Sequence, residues 1–158
     1  MIISNEEVES KQHGVKAEAN NEILDSLRQE TNTLNGQLEQ IFITTLNELK
    51  PVIDVIRKSN YYFRHPYKEC DGMSTRGPII GYDNSHYYVY SIEENDVYKV
   101  NNFNPDTSEK IHFFNFIKRW DFEKAMDGLN FVLELQEYYA ERHKKNPGEM
   151  LALVDKYS

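Results

Sequence analysis

The stretch EILDSLRQETNTLNGQLEQIFITTLNELKPVIDVI, residues 22–56, decides how the rest of the chain must be read. In its first part Leu24, Leu27, Thr31, Leu34, Leu38 and Ile41 recur at alternating steps of three and four, the spacing of a coiled-coil seam, with Thr31 as its weak point. Beyond Ile41 the apolar stripe changes frame and continues through Phe42, Leu46, Leu49, Ile53 and Ile56. Such an offset is a stutter, which rotates the seam relative to its partner. The pattern predicts one helix over about 20–58, roughly 60 Å long at 1.5 Å per residue. Gly36 weakens it by up to about 1 kcal/mol relative to Ala. Pro51 lacks an amide hydrogen and crowds the preceding turn, so a kink or the start of a second helix is expected near Leu49 to Pro51. A seam this narrow cannot cover itself. It either pairs with a second copy, in a homodimeric coiled coil or four-helix arrangement, or packs on the chain's own C-terminal helices.

Upstream, residues 1–19 are polar and without helical or strand period, and they read as a flexible lead with no role in the fold. Residues 20–158 then form a single α+β domain in which 20–50 is a protruding or dimerising helix. Downstream, residues 59–76 hold Pro66 and Gly72, have no clean period and read as a connecting loop. Three β-branched and aromatic runs follow, Pro78 to Tyr82, His86 to Ile92 and Val97 to Phe103, separated by turn compositions. They predict a three-stranded antiparallel meander. In its middle strand Tyr88, Tyr90 and Ile92 share one face and Tyr87, Val89 and Ser91 the other. Neither face is strongly polar, so both should be at least partly covered.

Asp106 and Glu109 have capping-box spacing ahead of an aromatic run, which predicts a short helix through Phe113, Phe116, Ile117 and Trp120. Asp121 offers a second cap, for a helix running to about Lys145. Asn146-Pro147-Gly148-Glu149 reads as a stop and restart into a last short helix. The expected architecture is thus α+β: a long kinked N-terminal helix, a three-stranded meander and two or three C-terminal helices.

The chain has 158 residues, 39% apolar and 28% charged, with 11 Tyr, 8 Phe and 1 Trp, which suits one domain with a real core. No apolar run approaches the roughly 20 residues needed to cross a bilayer, and the N-terminus lacks a basic region followed by an apolar stretch. A single cysteine, Cys70, allows neither an internal disulfide nor a thiolate zinc site. A reducing, cytoplasmic setting is the expectation, without membrane association. Fifteen Asn against 7 Gly and 5 Pro point to an AT-rich genome, bacterial or phage.

Net charge is −8, which disfavours direct binding to duplex nucleic acid and favours a basic protein partner. One stretch opposes that sign, since residues 55–76 carry five basic and two acidic groups. There Arg57, Lys58, Arg64, His65, Lys68 and Arg76 alternate with Tyr61, Tyr62, Phe63 and Tyr67. Cations interleaved with rings can neutralise phosphate while a base stacks, so a nucleotide or other phosphorylated small molecule is one candidate ligand. The plainer expectation is that the rings seat the loop on the core while the charges pair with acidic helices. Glycine-rich phosphate cradles are absent from the sequence. Cys70 with His65, His86 or His112 can be drawn as a thiol and its base, or as metal ligands, but the spacing matches no catalytic or metal signature. No catalytic residue, metal or cofactor is assigned. Glu93, Glu94 and Asp96 read as a solvated hairpin tip. Glu30, Glu39, Glu134, Glu137 and Glu141 mark acidic helix faces, which are either solvated surfaces or carboxylate rows that face a groove evolved for nucleic acid.

The segment Gly77 to Trp120, a meander followed by Phe113-x-x-Phe116-Ile117, resembles the latter part of SUKH-type immunity domains over about 44 residues. That family's usual N-terminal lead is replaced here by the long helix. The resemblance implies a protein-binding, neutralising role and transfers no site residues. The leading expectation is a non-catalytic, acidic inhibitor or neutraliser of a protein that handles nucleic acid, with Leu24, Leu27, Leu34, Leu38 and Ile41 as an interface between copies.

Overall fold

The computed structural model describes residues 5–158, and the reading of residues 1–4 as part of a flexible lead lies outside them. Helix α1 runs Asn5–Lys58, followed by β1 Phe63–Arg64, β2 Met73–Ser74, β3 Ile79–Tyr82, β4 His86–Ser91, β5 Asp96–Asn101, β6 Ser108–Ile111, α2 Phe113–Ile117 and α3 Phe122–Tyr157. Two compact units result, one ending at Ile41 and the other spanning Phe42–Ser158. Helical backbone is already present at Asn5, well before residue 20. A run rich in Glu, Lys, Gln and Ala has favourable helix propensity without needing an apolar stripe.

In the unit Phe42–Ser158 the downstream stripe of α1 forms the heart of the core. Phe42, Leu46, Leu49, Ile53 and Ile56 are 0–6% exposed and pack with Ile80, Tyr90, Val97, Phe116, Ala125, Leu129, Val132 and Leu135. Burying five such side chains contributes roughly 8–15 kcal/mol before ordering entropy is subtracted. Both faces of the sheet are covered. Tyr90, with Tyr88 and Ile92, belongs to the helix-packed core, whereas Tyr87, Val89 and Val100 join Ile79 and the half-buried Cys70 in a second cluster.

The sheet has four antiparallel strands in the order β3-β4-β5-β6, and a separate two-stranded ribbon pairs Phe63 with Ser74 and Arg64 with Met73. The meander is therefore one strand longer than the sequence implies, and the loop 59–76 holds a small ribbon of its own. The extra strand is the segment read as a helix start. Ser108 pairs with Val100 and Ile111 with Val97, so Glu109 and Lys110 stand on a mostly exposed edge strand. Charged side chains on an edge discourage pairing with other chains, and they also erase the alternation by which a strand is recognised.

Both internal prolines are accommodated without ending a helix. Pro51 lies inside α1 and Pro147 inside α3, so neither a second helix at Pro51 nor a stop and restart at Asn146 occurs. Each proline is exposed, as are Asn47 and His143, whose carbonyls each proline deprives of a donor and water can satisfy. Helix α1 ends at a Schellman turn. Asn60 adopts a left-handed φ of 58°, its amide donates to the Arg57 carbonyl at 3.0 Å, and the Tyr61 amide donates to that of Ile56 at 3.2 Å. Asp121 caps α3 as expected, accepting from the Lys124 amide at 3.1 Å. Seven residues on, Gly128 lets α3 approach β3: a Cβ there would lie 2.1 Å from the Ile79 carbonyl oxygen.

Candidate functional site

Upstream of Phe42 the seam of α1 behaves differently from its continuation. Leu24, Leu27, Leu34 and Ile41 are 50–62% exposed and Leu38 is half-buried. Ile23 is exposed beside them. Arg28 and Asp25 pair at 3.2 Å on the polar side of this helix, an exposed i,i+3 contact of little energetic weight. Among the acidic positions, Glu134, Glu137 and Glu141 recur at steps of three and four along one exposed face of α3. Glu30 and Glu39 are nine residues apart, which at about 100° per residue puts them on opposite sides of α1. The carboxylates on α3 thus form a row and those on α1 do not.

The positive aromatic loop is distributed over three places. Tyr61 stacks on Tyr139 with ring centroids 4.3 Å apart and lies 5.2 Å from the His143 ring, while the Tyr139 hydroxyl donates to the Tyr62 carbonyl at 2.6 Å. Arg64 reaches over Phe131, 5.5 Å from its centroid. Tyr61, Tyr62, Arg64, Tyr139, Arg142 and His143 line a cleft of about 570 Å³. Arg76 lies elsewhere, 4.3 Å above the Tyr98 ring, in a cleft shared with Arg57, Glu93 and Glu94. His65 and Tyr67 face α3, and Lys68 is exposed.

His65 is 4% exposed. Its Nε2 lies 2.7 Å from the Lys124 carbonyl, which can only accept, so Nε2 carries the proton and Nδ1 accepts from the Tyr67 amide at 3.2 Å. Burial, the largest influence, holds the imidazole below 6.5, although the Lys124 carbonyl and the Asp127 and Glu69 charges pull the other way. Both ring nitrogens are committed to the fold. Tyr67 donates its hydroxyl to Asp127, and that bond pushes the phenol up to about 12.

Cys70 is half-buried, and burial pushes its thiol up, so it is protonated at neutral pH. His86 lies 3.7 Å from Asp83 and His112 3.8 Å from Asp96. Among the described residues no three His, Cys, Asp or Glu side chains cluster to hold a metal ion. At the hairpin between β4 and β5, Glu93 pairs with Arg57, Glu94 accepts from the Tyr98 hydroxyl, and Asp96 is paired with Lys110 at 3.1 Å.

A group of four cations lies where sequence reasoning did not look. A cleft of about 610 Å³ opens between the sheet, α2 and the start of α3, lined by Lys99, Lys118, Arg119, Lys124, Tyr82, Tyr88, Phe116 and Trp120, with Asp83, Asn115 and Asp121 at its walls. Its four cations come from a strand, an inter-helix turn and a helix, so no local motif announces them. Only Lys118-Arg119-Trp120, basic and aromatic in one short turn, was visible in the chain.

Among the described residues no helix is long and apolar enough to cross a membrane. In comparisons with protein-family models, with characterised proteins and with solved structures, nothing matches this chain.

Proposed function

We propose that the chain is a non-catalytic protein-binding module that pairs with a second copy through the upstream seam of α1 and uses its acidic surface to occupy the basic face of a protein that handles nucleic acid, inhibiting or neutralising it. One contrast carries the reading. Along a single helix the apolar stripe is 0–6% exposed from Phe42 onward, while Leu24, Leu27, Leu34 and Ile41 before it are 50–62% exposed. Leucines at seam spacing gain roughly 1.5–3 kcal/mol each when covered, and a second identical helix supplies the matching spacing. The carboxylate row of Glu134, Glu137 and Glu141, together with the net charge of −8, supplies the complement to a basic partner.

The test is the mass in solution. Light scattering on eluting protein should give a dimer or a higher oligomer for the native chain and a monomer for the Leu27→Asp, Leu34→Asp double variant. A native chain that stays monomeric at high concentration overturns the pairing. Capture from a host lysate on native protein, repeated with Glu134, Glu137 and Glu141 changed to Gln, tests the acidic face: a specific partner lost in the variant supports it, and one retained at full strength refutes it.

A second reading, a binder of a phosphorylated small molecule through the 57–76 loop, is favoured by the grouping of Tyr61, Tyr62 and Arg64 with Arg142 and His143 in one cleft without a carboxylate among its lining residues.

A further inference from the structure

The cleft between the sheet, α2 and the start of α3 has a charge balance that the fold does not need. Its two carboxylates are already committed. Asp121 caps α3, and Asp83 accepts from the amides of Ser85 and His86 at 2.8 Å each. Burial alone would raise the Asp83 carboxyl, but these bonds and the nearby His86 outweigh it and hold the group below its ordinary range, so it stays ionised and occupied. Against them stand four cations. Lys124 lies 4.0 Å from the Tyr82 ring centroid and Lys118 4.5 Å from that of Phe114, while Lys99 and Arg119 have no carboxylate partner among the described residues.

We propose that this cleft binds a nucleoside phosphate, with Arg119 and Lys118 on the phosphate and the base against the aromatic wall that includes Trp120. Unpaired cations in a chain of net charge −8 call for an anion supplied from outside. Flat rings at the other wall suit a flat base, since ring stacking tolerates any of them. The Asn115 side-chain amide, at the rim, offers both a donor and an acceptor to a base edge. A volume of about 610 Å³ falls within the range that holds ligands of nucleotide size. This site shares no lining residue with the Tyr61–Arg64 cleft, and it does not depend on pairing through α1.

Trp120 is the chain's one tryptophan, so its fluorescence reports on this cleft and not on the other. Titration with the mono- and triphosphates of adenosine, guanosine, cytidine and uridine should quench it saturably for at least one of them. The melting temperature should rise by roughly 5–10 °C at a hundredfold excess over the dissociation constant. Lys118 and Arg119 are exposed, so Lys118→Ala and Arg119→Ala leave folding intact and should each weaken binding about tenfold. Arg64→Ala should leave it unchanged. Absence of saturable quenching across the panel overturns the site. So does equal affinity for the free nucleoside, for inorganic phosphate alone, or for the Lys118→Ala, Arg119→Ala double variant.

Discussion

Asn60 and Asn95 adopt nearly the same left-handed backbone, with φ of 58° and 54°, and yet the fold uses them differently. Asn60 closes the Schellman turn with its backbone alone. Asn95 closes the turn between β4 and β5, its amide donating to the Ser91 carbonyl at 2.9 Å, and its side chain also accepts from the hydroxyl of the fully buried Tyr90. Asn60→Gly should therefore change unfolding free energy by no more than about 0.5 kcal/mol, whereas Asn95→Gly should lower it by about 1–3 kcal/mol by orphaning the Tyr90 hydroxyl. Denaturant titrations of the two variants side by side decide this, and equal effects would contradict it. His65 provides a second case. Its folded-state pKa is depressed, so its contribution is complete above the ordinary value of 6.5 and is lost as pH falls from there through the folded value. Melting temperature should decline below about pH 6.5, and His65→Gln should flatten that decline while lowering the plateau. A slope unchanged by the substitution would assign it to another group. None of this was legible in the sequence, where His65 is a basic residue among tyrosines. Its role comes from Lys124, 59 residues away.

At the level of elements, the stretch of α1 from Glu22 on was legible because its two stripes obey helical spacing and differ in frame, whereas its start at Asn5, in a run without apolar period, was not. Phe42, Leu46, Leu49, Ile53 and Ile56 are core residues, and the frame changes where the two units divide. Phe42→Ala should cost about 3–5 kcal/mol, since Phe42 is 0% exposed and its ring lies 5.3 Å from that of Trp120. Leu34→Ala, in dilute protein, should alter the Trp120-monitored unfolding by no more than about 0.5 kcal/mol. Comparable losses would mean that the seam is structural within one chain. The strands β3, β4 and β5 were also legible, from β-branched and aromatic runs between turn residues. Strand β6 was not, because Ser108, Glu109 and Lys110 are exposed on an edge and Asp106 with Glu109 matches a helix cap by spacing alone. Pro147 misled for a related reason: local chemistry says stop, but an exposed turn of a helix anchored by Leu129, Val132 and Leu135 tolerates one lost bond.

Over the whole molecule, charge is the property that sequence reveals and local structure redistributes. A net −8 chain keeps a cleft with four cations, from Lys99 to Lys124, that converge only after the sheet and α3 pack together. Such a cleft has no linear signature, whereas the 57–76 loop carries its cations close together in the sequence. Complexes formed through the acidic surface should weaken steadily between about 0.05 and 0.5 M salt, because exposed charges are screened over about 10 Å at 0.1 M. Calorimetry against the captured partner measures that slope, and a flat response would locate the binding energy in apolar contacts instead. The abrupt end of burial at Phe42 also has an evolutionary meaning. Codons for Leu24, Leu27, Leu34 and Ile41 can be rewritten without endangering the hydrophobic interior, so drift at these positions leaves the scaffold intact.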